Sequence, residues 1–510
     1  MISVKNDRVK NTERNIVWGA VNMVISLLLP FVARTILLRV LGEEYLGLSS
    51  LFTSILQMLN IAELGLSSAI IFGLYKPIAE DDTDTIRAYM MLYRKAYKII
   101  GLVIATVGIL ILPFLKYLIN GAIPNDINIY ALYLIYLSNS ALSYFAFAYK
   151  STLLSAHHRN DIVSNIATFV NILKYVVQIV VLLLTRNFYI YIIVLPICTL
   201  VNNLITSVVV DKKYPLYSCS GNLKDEERKK IVQNVKGLVV TRMCAIMRDS
   251  ADIITISAFL SLIDVAMFSN YFFIMSSVHS ILTIITNAMR AGVGNSLAVE
   301  SIDKNIKDMN KFTYYYAFIT SCCVSCLVAL YQPFMELWVG ESLSYPFYTM
   351  VLFVIYFYLL CSMDIRNVYI EAAGLWSQFR TRAIIETVCN FTLSILLVNF
   401  FGINGIIFAT IVTYTIVNIV YGSSVLIRNL FKEYGFKRYI FLFVKYTTIT
   451  LIVAVLVFII STLIPDNNIL FIILKGAVCA ICSAVFFMVF TIKDKHLKSG
   501  INLIKNFGRW

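Results

Sequence analysis

Fourteen times along this 510-residue chain an apolar run of membrane-spanning length returns, near residues 16–38, 46–75, 99–119, 128–149, 162–184, 188–210, 231–259, 265–296, 312–333, 346–372, 383–400, 405–427, 439–464 and 469–491. A bilayer core about 30 Å thick is crossed by about 20 helical residues. Its hydrocarbon offers no partner to backbone N–H and C=O groups, so each crossing must satisfy its own, as a helix does. The composition leaves little choice of solvent. Apolar residues make up 59% of the chain and charged ones only 14%, where a soluble domain carries about a quarter. The expected class is an all-α polytopic membrane protein of about fourteen transmembrane helices. The first run is too long for a signal-peptide core and lacks a small-residue cleavage site, so it is expected to be a retained helix.

Charge sets the orientation. With the N-terminus inside, the inner segments hold 31 of the 43 Lys and Arg residues, and the outer connections hold only Arg39, Lys116 and Arg186. Basic residues accumulate on the cytoplasmic side, and one missed helix would invert the pattern downstream. Both termini are therefore expected in the cytoplasm of a multi-pass protein of the bacterial plasma (inner) membrane. The net charge of +14 reads as a topology signal, because it is scattered through short loops and forms no basic domain; nucleic acid is not an expected partner. The longest inner loop, 211–230, divides the chain. This predicts an N-terminal lobe over 1–210 (helices 1–6), the cytoplasmic loop 211–230, and a C-terminal lobe over 231–427 (helices 7–12). Residues 428–510 then supply two additional helices and a tail. Two six-helix lobes are the layout of transporters built from parallel repeats.

Nine of the ten cysteines lie in apolar runs, where a thiol behaves as a small hydrophobe. The cluster Cys322, Cys323 and Cys326 has no His or acid beside it in sequence, and no metal site is expected. His157 and His158 read as loop residues. There is no Walker A sequence, no nucleophile elbow and no catalytic carboxylate pair in a soluble domain, so a transporter is expected and an enzyme is not.

The costly residues are the charges left at membrane depth, each about 2.5–3.5 kcal/mol at a helix centre on insertion scales. The basic set is Arg34, Lys174, Arg242, Arg248, Arg290 and Arg366, with Lys236, Lys445 and Lys475 placed nearer span ends; Lys236 and Lys445 read as snorkelling to the inner face. The acidic set is Glu63, Asp249, Asp252 and Asp364. On the seventh helix Arg242, Arg248, Asp249 and Asp252 share an arc of about 120°. Two readings stand side by side: the acids neutralise the arginines and hold the bundle, or a cationic cavity takes an anionic substrate while a carboxylate takes a coupling H⁺ or Na⁺. No other cofactor is expected. Pro30, Gly65 and Gly73 could loosen their helices or pack them. Tyr130, Tyr133, Tyr136 and Tyr144, along the fourth helix, read as part of an interfacial belt or, less readily, a sugar-stacking surface.

The stretch Arg34-Thr-Ile-Leu-Leu-Arg39-Val-Leu-Gly42-Glu-Glu-Tyr-Leu-Gly47-Leu-Ser-Ser-Leu-Phe52, followed by Ala62-Glu63-Leu-Gly65-Leu-Ser-Ser-Ala69, resembles the opening of the Wzx-type polysaccharide repeat-unit flippases. These belong to the multidrug/oligosaccharidyl-lipid/polysaccharide exporter superfamily, and the resemblance in pattern extends over essentially the whole chain. It implies a protein that moves a polyprenyl-diphosphate-linked oligosaccharide to the outer leaflet by alternating access, for capsule or O-antigen-type assembly, alongside a polysaccharide polymerase. A diphosphate calls for a cationic cavity, with Arg favoured for its forked donors. The competing readings are an ion-coupled drug exporter of the same superfamily, a flippase of the lipid-linked peptidoglycan precursor, and a non-transporting scaffold for glycan synthesis.

Overall fold

The computed structural model of the protein describes residues 2–60, 66–223, 225–466 and 468–497, and within them the side chains of all but 2–17, 20, 21, 226 and 229–238. Every described element is helical, with no strand among the described residues. The chain forms two compact units, Met1–Ala266 and Met267–Trp510.

The first unit holds α1 (Ile2–Val40), α2 (Glu43–Leu59), α3 (Leu66–Ala79), α4 (Thr83–Ile111), α5 (Ile129–Phe145), α6 (Ser151–Ala156), α7 (Asn160–Thr185), α8 (Phe188–Lys213) and α9 (Asp225–Phe259). Side-chain caps mark where these helices begin. The Asn128 carboxamide accepts from the N–H groups of Tyr130 and Ala131, and Asn187 does the same for Tyr189 and Ile190, satisfying donors that a helix start leaves open. The fourth apolar run is a broken helix: α5 and α6 meet at 47°, across a turn in which Phe147 takes a left-handed φ of 60°. α1 packs on α7, α7 on α8, α4 and α8 on α5, and α9 on α2. Leu48, Leu51, Phe52, Leu132 and Tyr133 are fully buried at the centre. Tyr133 and Tyr136 meet Phe52 edge-on at 5.5 and 5.7 Å, and with Tyr144 they are core residues, neither belt nor sugar platform. Gly73 is a packing position: a Cβ there would lie 2.5 Å from the Tyr89 ring. Gly47 is tighter, since its Cβ would lie 2.2 Å from the Leu262 carbonyl oxygen.

α10 (Leu262–Val299) begins in the first unit and continues into the second. The second unit then holds α11 (Ile302–Val339), α12 (Phe347–Ala372), α13 (Trp376–Phe401), α14 (Ile403–Thr413), a π-helical segment Tyr414–Gly422, α15 (Ser423–Asn429), α16 (Phe436–Ser461) and α17 (Ile469–Phe490). α11 packs on α12, α16 and α17, and its seam with α16 and α17 is filled by Tyr314, Tyr446, Val453, Val457, Cys479 and Phe487. Wherever their residues are described the apolar runs coincide with helical elements, and the run 405–427 divides into α14, the π-helical segment and α15. By length and composition eleven described helices can cross a membrane, or twelve when α5 and α6 count as one span. Large apolar side chains such as Leu184, Phe400 and Leu463 stand about four-fifths exposed, as lipid-facing surface does.

Candidate functional site

In the first unit the predicted basic residues sit on α1, α7 and α9. Lys174 lies fourteen residues into α7. Its ammonium donates to Asn171 Oδ1 at 3.1 Å and rests 4.2 Å from the centre of the Tyr175 ring. Across from it on α8 is Cys198. All three neighbours are neutral, and no described carboxylate lies within ion-pair distance of Lys174. Arg34 of α1 is in electrostatic range of Tyr191 on α8, which also senses Tyr175. The Tyr191 carbonyl is in turn held by Gln178 Nε2 at 3.1 Å. α1, α7 and α8 thus gather two cationic groups and two phenols. On α9, Arg242 is exposed, whereas Arg248 Nη2 stands 2.9 Å from Asp249 Oδ1; Asp252 is buried. Glu63 lies outside the described residues.

The second unit treats its charges differently. Arg366, 2% exposed, donates through Nη1 to the Asn418 carbonyl at 2.5 Å and through Nη2 to the Asn418 side-chain oxygen. A π-helical turn displaces the regular i→i−4 ladder, and the Asn418 carbonyl inside that turn finds its donor in Arg366. Asn418 Nδ2 donates to Glu386 Oε2 at 2.9 Å, and Arg382 pairs with the same oxygen at 2.5 Å. Gly422 makes room for this, since a Cβ there would come within 2.9 Å of both Arg366 Nη1 and Arg382 Cδ. Arg290 pairs with Glu371 at 2.5 Å.

Asp364, two residues before Arg366, faces elsewhere, because helical positions two apart do not share a face. Its Oδ2 accepts from Tyr316 of α11 at 2.6 Å and meets His279 Nε2 of α10 at 3.0 Å. Cys361, fully buried, joins them, so that one ligand atom from each of His279, Cys361 and Asp364 falls within 4.8 Å of the others. The contacts of Asp364 itself are of hydrogen-bond length, so a carboxylate, an imidazole and a phenol meet at one oxygen. Sequence reasoning found Asp364 but missed His279 and Tyr316, which are 85 and 48 residues away; it also missed Glu386, Arg382 and Asn418. A lone His in an apolar run was the only available signal.

No family model matches the chain, and no curated protein does. Solved structures do. The chain is similar to the lipid II flippase MurJ in an inward closed conformation, with a TM-score of 0.66 at 15% identity over 94% of this chain and 98% of that one. It is similar to an inward-facing multidrug resistance MATE family transporter of the MOP superfamily, with a TM-score of 0.63 at 15% identity over 82% and 99%. A third is a variant of the Vibrio cholerae MATE transporter VcmN, with a TM-score of 0.56 at 13% identity over 85% and 100%. The fold is that of the MOP-superfamily transporters.

Proposed function

We propose that the chain is a lipid-linked oligosaccharide flippase. It binds a polyprenyl-diphosphate-linked repeat unit from the inner leaflet and releases it to the outer leaflet by alternating access, in a plasma membrane with both of its termini cytoplasmic. The observation that carries this reading is Lys174. Its Nζ has only neutral neighbours among the described residues, although a cation at that depth is costly. An anion that comes and goes is a reason to keep it. Arg34 extends the positive field along α1, and Tyr175, half-buried beside Lys174, adds a ring and a hydroxyl suited to a sugar. The polyprenyl tail stays in lipid while the head group crosses. A drug exporter for cations would call for an acid in this place. On this reading a proton at Asp364–His279 drives the cycle, and a polysaccharide polymerase takes the product.

A peptidoglycan-precursor flippase is the second reading, favoured by the likeness to a lipid II flippase over 94% of the chain; it uses the same diphosphate chemistry. Glycan export in a deletion strain tests the first reading. Lys174→Ala should cut it by about ten- to a hundredfold at normal protein level, and Lys174→Arg should retain it. Full export by Lys174→Ala would remove the cationic site from the mechanism. Rescue of a strain depleted of its peptidoglycan-precursor flippase, without rescue of glycan export, would select the second reading.

A further inference from the structure

Below Tyr316 lies a cavity of about 40 Å³, lined by Thr313 and Thr320 of α11, Tyr358 and Ser362 of α12, and Tyr446 of α16. Tyr316 and Tyr446 both line this space with their hydroxyls bonded to Asp364 and Asp494, while Thr313 and Ser362 donate to carbonyls of their own helices and Tyr358 pairs with Thr447. A water needs about 10–15 Å³ of such volume and two or more polar partners, so the cavity accommodates two or three. The Thr320 hydroxyl is buried beside the Cys361 thiol. At the far side Tyr446 donates from its hydroxyl to Asp494 Oδ2 at 3.1 Å, and Lys445 reaches the same oxygen at 2.7 Å. Asp494 is 8% exposed at its side chain and Lys445 36%, so the pair opens to solvent on the Lys- and Arg-rich side of the chain. His496 is held there by its backbone N–H to Asp494 Oδ1 at 3.1 Å.

We infer that α16 and α17 carry a proton path: Asp494 to Tyr446, through the hydroxyl-lined cavity to Tyr316, and from Tyr316 to the Asp364–His279 pair. The inference rests on the coupling role given to Asp364 above and assigns its supply line to the last two helices. Each step is a transfer along a hydrogen bond in which an oxygen accepts one proton and releases another, so no co-reactant is needed. Dispersion packing alone would be served by Phe and Val at these places. Tyr446, Thr320, Thr313 and Ser362 instead keep polar atoms in an otherwise apolar seam between α11, α12 and α16. The groups facing Asp364 are His279 from α10, Tyr316 from α11 and Cys361 from its own helix, with Cys323 close to Tyr316 and Cys361. None is a fixed positive charge that would pin the carboxylate in one state.

The path is tested on the full-length protein in lipid nanodiscs, with no glycan present, by releasing a caged proton and following the carboxyl infrared band that Asp364→Asn removes. Tyr446→Phe, which keeps the ring in its packing, and Thr320→Val, which keeps the cavity shape, should each slow protonation of Asp364 by about 100-fold, the lower range of what a positioned proton donor contributes. The final amplitude of the band and the melting temperature should stay put, as they would not if these residues served only to hold the fold. Unchanged rates in both variants would overturn the path and leave a coupling role for Asp364 standing. An Asp364 band that does not respond to the released proton would overturn the path together with that role. Neither result touches the diphosphate site around Lys174.

Discussion

Positive charge is kept at depth in both units, and each handles it differently. In the second unit Arg290 pairs with Glu371, Lys445 with Asp494 and Lys475 with Asp466, and Arg366 is held by the neutral Asn418, which also binds Glu386; in the first unit Arg248 likewise pairs with Asp249. In the first unit Lys174 is met by an amide, a ring and a thiol. A buried charge with its partner is part of the architecture, and removing one member strands the other. Lys174, with one neutral hydrogen bond, gives the apo fold less than Arg366, which makes several. On the proposed reading Lys174 becomes useful when an anion arrives. Sequence alone presents both as basic residues in apolar runs.

The largest effect should come from breaking a satisfied group. Arg366→Ala removes the donors to the Asn418 carbonyl and carboxamide oxygens, and each buried acceptor so stranded costs about 1–3 kcal/mol. Membrane-inserted protein should fall steeply, and a thermal-shift assay in detergent should show the loss before any transport is measured. Lys174→Ala should do the reverse. Deleting a charge-assisted contact to phosphate costs about 1.5–3 kcal/mol, enough to cut transport by about ten- to a hundredfold, while thermal stability holds or rises. Equal stability losses in the two variants would erase the distinction between the units. Gly47→Ala comes next. Its Cβ would press on the Leu262 carbonyl, backbone that has no rotamer to yield, and overpacking costs about 1–3 kcal/mol. The melting temperature should drop, with Gly47→Ser no better.

Much of the fold was legible in the sequence because lipid leaves one solution: a long apolar run closes its own hydrogen bonds. The break between α5 and α6 was not, since Phe147 carries no sign that it will turn left-handed. Nor was the π-helical turn that brings Asn418 to Arg366. The candidate site was half legible. Charge at depth is conspicuous, so Lys174, Arg34 and Asp364 stood out. His279 and Tyr316 did not, because an imidazole or a phenol in an apolar run is ordinary until the fold sets it beside a carboxylate. On α9, Arg248 was visible as charged, and its contact with Asp249 is a property of side-chain direction. The four tyrosines of the fourth helix were conspicuous for the wrong reason: three of them fill the core against Phe52 and its neighbours.

Two histidines give the finest comparison between the units, and the smallest expected effect. His279 has Asp364 beside Nε2. His157 has no acid: its ring is stacked 4.3 Å from that of Tyr214, its Nε2 is buried without a hydrogen-bond partner, and Lys213 and His158 are near. It stands in the loop between α6 and α7, outside the spans. Burial first, then these two basic neighbours, lower its pKa from 6.5 to about 4. A group whose folded pKa is lowered takes up its proton more readily in the opened state. The stacked arrangement of His157, Tyr214 and Tyr217 is therefore at full strength above about pH 6.5 and weakens as pH falls toward 4. Limited proteolysis of residues 211–223 should accelerate over that window. His157→Phe, which keeps the stack and removes the titration, should flatten the dependence, while cleavage near neutral pH stays as in the wild type. Cleavage that still accelerates in the Phe variant would place the pH sensor elsewhere and leave His157 as packing alone.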